Sequence, residues 1–170
     1  RGLGDVYKRQ AADNIASLKE AAAAARDADV LVTIGGASVG EHDLVQTALK
    51  EEGLEVDFWK IAMRPGKPLM VGRLGKSQVL GLPGNPVSSL VCALLFLRPL
   101  LYALQGRAGA LPDLSSMPAL APISANGVRQ DYMRARIVGG EVEPFSLQDS
   151  SMLTALAEAD ALIVRPANAP

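Results

Sequence analysis

Asp29-Val30-Leu31-Val32-Thr33-Ile34-Gly35-Gly36-Ala37-Ser38-Val39-Gly40-Glu41-His42-Asp43 is the stretch around which this 170-residue chain is arranged. Val30 to Ile34 are apolar and mostly β-branched, which predicts a central strand buried on both faces. Gly35, Gly36, Ser38 and Gly40 then make a tight loop of small residues, and two acids follow, Glu41 and Asp43. Beyond them Leu44, Val45, Ala48 and Leu49 fall at helical spacing until Gly53. Strand, glycine-rich turn and helix N-terminus together allow backbone N–H groups to approach an anion closely. The acids could hold a metal. Asp43, with Gln46 three residues on, could equally cap its own helix.

A second unit repeats the pattern. Val79 to Leu82 predicts a short strand, Pro83-Gly84-Asn85-Pro86 a loop, and Val87 to Leu104 a long apolar helix with Asn85 as N-cap and Pro86 first. Ser88 adds a hydroxyl to its first turn. Two such units place one crevice at the carboxyl ends of neighbouring strands, where open α/β sheets take ligands. Between them lies Met63-Arg64-Pro65-Gly66-Lys67-Pro68, a stiff loop with two cations, Arg64 and Lys67. A merely solvated surface gives no reason for two prolines to fix them.

The rest of the chain supplies the frame. A helix capped by Asp13 uses Ile15, Leu18, Ala22 and Ala25, and its thin apolar stripe suits covering a sheet face. Glu55 to Ile61 predicts a strand, and Leu74-Gly75-Lys76 a hairpin turn between Leu69–Arg73 and Ser77–Leu82. After Gly106, Pro112, Pro118 and Pro122 mark a linker. Asp131–Val138, a Gly139-Gly140 turn, Glu141–Phe145, a helix over Ser150–Ala159 and a strand over Ala161–Val164 then predict a small β-rich unit. The fold class is therefore a three-layer α/β/α sheet domain over residues 11–106, followed by a small, barrel-like β domain over 108–170.

Composition narrows the function. Lys plus Arg number 17 and Asp plus Glu 18, so no bulk positive field favours nucleic acid or an anionic membrane. An anion must be held locally. The single cysteine, Cys92, excludes an intrachain disulfide and a cysteine-cluster metal site and fits a reducing, cytoplasmic setting. Cys92 sits in an apolar helix and reads as a small buried hydrophobe. Arg98 and Pro99 interrupt the apolar run, which predicts a core helix rather than a membrane span. Arg1 to Gln10 has neither an apolar core nor periodicity and is expected to be a frayed or non-native leader. His42, the only histidine, reads as an exposed loop residue.

Gly35–Asp43, Arg64–Pro68 and Leu82-Pro83-Gly84-Asn85-Pro86-Val87-Ser88, in that order, closely resemble the molybdopterin molybdotransferases, among which gephyrin's C-terminal part is counted. The resemblance covers roughly Ala12 to the C-terminus and is looser at Arg129–Arg134 and at Ser150–Leu153 with Ala159–Ile163. It implies insertion of molybdate into adenylated molybdopterin with release of AMP. The implied catalytic residues are Asp43, Lys67 and Arg64. The implied substrate contacts are Gly35, Gly36, Ser38, Gly40, Glu41, Pro83, Gly84, Asn85, Pro86 and Ser88. Arg129 or Arg134, with Ser150 or Ser151, would complete the anion site; Arg134 and Ser151 are taken as the candidates. Asp43 is the implied ligand for Mg²⁺, an ion that prefers oxygen donors.

The family usually carries lysine where this chain has Arg64. Its members extend upstream by two domains and a first strand, and they act as dimers, so the chain resembles a C-terminal portion that by itself would insert little molybdenum. The related molybdopterin adenylyltransferase shares the Gly-Gly and Pro-Gly signatures but not the Arg-Pro-Gly-Lys-Pro loop or the second domain. A non-catalytic pterin-binding or scaffold role is the other reading.

Overall fold

The computed structural model describes residues 10–35, 44–149 and 153–170. In chain order the elements are α1 (Ile15–Ala24), β1 (Val30–Ile34), α2 (Leu44–Glu51), β2 (Glu55–Trp59), β3 (Met63–Arg64), β4 (Met70–Leu74), β5 (Ser77–Leu82) and α3 (Pro86–Cys92). A π-helical turn (Ala93–Leu97) runs on into α4 (Arg98–Leu104); then come β6 (Gln130–Val138), β7 (Glu141–Pro144), α5 (Leu153–Ala157) and β8 (Ala161–Arg165).

The first sheet has the order β1-β5-β4-β2, with β1 parallel to β5 and the other pairs antiparallel. Alternation along β5 sorts its side chains onto two faces. Val79 joins Ala22, Leu49, Leu54, Met70 and Leu74 beneath α1 and α2, whereas Leu80 and Leu82 join Leu69, Val87, Val91 and Cys92 beneath α3. Helices thus cover both faces, giving the three expected layers. The β4–β5 turn is the expected hairpin, with Leu74 opposite Ser77 and Gly75 at φ +58°. The apolar run from Pro86 to Leu104 is long and hydrophobic enough to cross a membrane by length and composition. Its first turns, however, bury Val87, Val91 and Cys92 completely in the core.

Two local expectations are corrected. Among the described strands β5 is the buried central one, and β1 lies at the sheet edge, with Ile34 69% exposed. The apolar run of β1 therefore gave its strand type but not its place in the sheet. The cap of α1 is Asn14 rather than Asp13: the Asn14 side chain accepts from the Ser17 N–H at 2.9 Å.

The second sheet fans around β6. On one edge β8 pairs with residues 131–135; on the other, β3 pairs with 130–131 and β7 with 135–138. No ladder joining β7 to β8 is found among the described residues. Thus β3, a strand from within residues 11–106, is hydrogen-bonded into the sheet of the C-terminal unit.

Candidate functional site

Parallel pairing of β1 with β5, Ile34 opposite Leu82, brings both strand-to-loop exits to the same sheet edge. The Gly35 N–H donates to the Leu82 carbonyl at 3.2 Å, and a Cβ on Gly84 would lie 3.3 Å from the Gly35 Cα. Only residues without side chains allow backbones to approach this closely, and Gly35 itself sits at φ +83°. The described start of the first loop is thus packed against the second. Gly36, Ser38, Gly40, Glu41, His42 and Asp43 lie outside the described residues, as do Ser150 and Ser151.

After Gly84 the second loop turns into α3 as expected. Asn85 accepts from the Ser88 N–H at 3.1 Å and Pro86 is the first helical residue. Pro83 and Ser88 are buried; Gly84 and Pro86 are exposed. The cap fixes the first turn of α3 so that Ser88 borders the neighbouring crevice.

That crevice, of about 390 Å³, is lined by Arg64, Pro65, Gly66, Lys67, Pro68, Ser88, Arg129, Gln148 and Asp149. Its cation loop is held from three sides. The Ile61 N–H donates to the Lys67 carbonyl at 3.0 Å, and the Lys60 N–H to that of Leu69 at 3.0 Å. Beneath it, the Cys92 thiol faces the Gly66 carbonyl at 3.9 Å. Full burial pushes that thiol up to about 12, so it stays protonated. To the side, β3 pairs with β6, and Arg64 meets the buried Asp131 carboxylate at 2.6 Å. Arg64 and Lys67 are both exposed toward solvent.

The two candidate arginines of the second unit part company here. Arg129, just ahead of β6, is half-buried and lines the crevice. Arg134 is 2% exposed and is spent on its own chain: its guanidinium donates to Gln148 Oε1 at 3.3 Å and to the Asp149 carbonyl at 3.0 Å. Burial pulls its pKa down, and Asp149 partly opposes this. Arg134 thereby pins the segment that brings Gln148 and Asp149 to the crevice rim. Gln148, Asp149 and Asp131 were not found from the sequence. No pattern marks a lone amide or carboxylate in a loop, although Asp131 within a strand is unusual enough to have been a signal.

The family model described as a probable molybdopterin binding domain matches residues 2–103, and the one described as the MoeA C-terminal region (domain IV) matches 116–170. The chain belongs to the molybdopterin-binding MoeA family. The first match begins well before Ala12, so residues expected to be foreign to the family fall within it. The molybdopterin molybdenumtransferase of Haemophilus influenzae is 37% identical over 160 residues, covering 89% of this chain and 39% of that protein. That of Synechococcus elongatus is 36% identical over 146 residues, covering 81% and 34%. A crystal structure of the molybdopterin biosynthesis MoeA protein from Pyrococcus horikoshii superposes with TM-score 0.72 at 32% identity, covering 92% of this chain and 38% of that one. The chain therefore spans about two-fifths of the length of these relatives.

Proposed function

We propose that the chain is the substrate-bearing part of a molybdenum insertase, which places molybdate into adenylated molybdopterin and releases AMP. The carrying observation is the gathering of Arg64, Lys67, Arg129 and Ser88 around one crevice, Ser88 lying in the first turn of the helix that follows the Gly84 loop. A tetrahedral dianion needs compact cations and hydroxyl donors, and the crevice offers these. A pyrophosphate needs unobstructed N–H groups and helix N-termini, and the adjoining glycine loops and the start of α3 offer those. In this reading Lys67, Arg64 and Arg129 hold molybdate, while Gly35, Gly84, Asn85 and Ser88 seat the adenylated pterin. Arg134 supports the rim from behind.

Mg²⁺ supplies charge neutralisation at the pyrophosphate in this proposal. No group of three or more His, Cys, Asp or Glu able to hold a metal occurs among the described residues. By the resemblance the protein's oxygen donor would be Asp43, with substrate phosphates and water completing a set that suits this ion. The match of residues 116–170 to the MoeA C-terminal region favours insertion over adenylyl transfer. A cytoplasmic homodimer completes the reading.

Lys67→Gln tests it. The change removes one charge-assisted contact, so the molybdate concentration for half-maximal rate rises about ten- to a hundredfold, or about 1.5–3 kcal/mol. Binding of adenylated molybdopterin changes far less. Equal weakening of both ligands would remove the molybdate assignment.

A further inference from the structure

We infer that Asp131 is a positioning residue for Arg64, holding its guanidinium at the crevice in the geometry that an oxyanion requires; this rests on the molybdate reading above. Three independent observations meet at this pair. The Asp131 carboxylate is buried, 4% exposed, yet it belongs to the β6 strand of the C-terminal unit. Its ion-pair partner is Arg64 at 2.6 Å, from the cation loop. The backbones of the same two residues face each other in the parallel β3–β6 ladder, and the Gln130 N–H donates to the Ala62 carbonyl at 2.9 Å, so register and ion pair reinforce each other.

The pair has a chemical rationale. The Arg64 side chain is 57% exposed, and a long side chain left to itself would sample many rotamers. A carboxylate that takes one terminal nitrogen leaves the remaining N–H donors aimed in one direction. Lysine has a single point charge and no fork to orient, so this device belongs to arginine at this place.

The test is a double-mutant cycle in the intact natural protein, reading molybdate affinity by calorimetry and folding by thermal unfolding. Asp131→Asn removes the ion pair and lets the guanidinium swing, so affinity falls about three- to tenfold. Arg64→Lys lowers it similarly, and Asp131→Asn added to Arg64→Lys changes it by less than about twofold. If Asp131→Asn weakens binding equally in both backgrounds, its role is only structural and the inference fails. If it tightens binding in both, the carboxylate acts only as a repelling charge and the inference fails again. Should Asp131→Asn not fold, Asp131→Glu takes its place in the same cycle: a loss confined to the protein that keeps Arg64 supports the inference, and an equal effect with and without Arg64→Lys overturns it. An unmodified protein that binds no molybdate would overturn the functional reading and this inference together.

Discussion

The Cys92 Sγ lies 3.9 Å from the Gly66 carbonyl oxygen, and a Cβ added at Gly66 would fall 2.5 Å from that sulfur. The floor of the cation loop is therefore a thiol, and the loop rests on it with no room for a methyl group. Gly66 also holds φ +109°, which a side chain disfavours. Gly66→Ala is expected to cost about 2–4 kcal/mol of stability. Cys92→Ala relieves the steric part but not the backbone part, so the double variant should recover about 1 kcal/mol relative to additivity. Urea unfolding of the four proteins measures it.

The same burial makes a prediction about pH. The Cys92 thiol is raised from 9.0 to about 12 in the folded chain. A raised folded-state pKa contributes stability that is fully present below pH 9 and is lost as pH climbs toward about 12. Within that window each pH unit should cost about 1.4 kcal/mol beyond the loss seen in Cys92→Ala. At pH 8 the folded chain should resist iodoacetamide and become reactive only in denaturant.

Asn126 braces the loop that presents Arg129. Its amide donates to the Arg129 carbonyl at 3.2 Å and the Pro166 carbonyl at 2.8 Å, and its oxygen accepts from the Ala169 N–H at 2.7 Å. Asn126→Ala should cost about 1–3 kcal/mol. Hydrogen exchange should quicken at 124–129 and 166–169 and remain unchanged in β4 and β5.

Gly84 should be sensitive through its neighbour. A Cβ there meets the Gly35 backbone at 3.3 Å, whereas one at Gly127 meets nothing within 4 Å. Gly84→Ala is expected to spread the two loops and weaken adenylated-pterin binding by about tenfold, while Gly127→Ala stays within about 0.5 kcal/mol of the parent in stability. Ligand titration together with melting curves separates the two effects.

Local chemistry was legible in the sequence where it is self-contained. The Leu74–Ser77 hairpin needs only a glycine at the turn, and the Asn85-Pro86 start of α3 needs only a cap and a fixed φ. Juxtaposition of Gly35 with Gly84 followed from two strand–loop–helix units in one parallel pair. What escaped were relations between distant residues. Two residues, Met63 and Arg64, cannot display a periodicity, so β3 and its pairing with the expected strand β6 were invisible. Arg129 and Arg134 look alike in sequence, and only burial beside Gln148 separates the one that lines the crevice from the one that props it. The apolar run of β1 matched a doubly covered strand, although the buried strand among those described is β5.

Arg64 and Asp131 are 67 residues apart in the chain, and the ladder between β3 and β6 closes the same span. A ribosome adding about 5–20 residues per second therefore releases the cation loop several seconds before its partner strand exists. Through that interval the nascent chain has two cations but no crevice. In the proposed reading, capture of molybdate waits for the C-terminal sheet, so a polypeptide cut short between Gly106 and Gln130 would carry Arg64 and Lys67 without the carboxylate that pairs with Arg64.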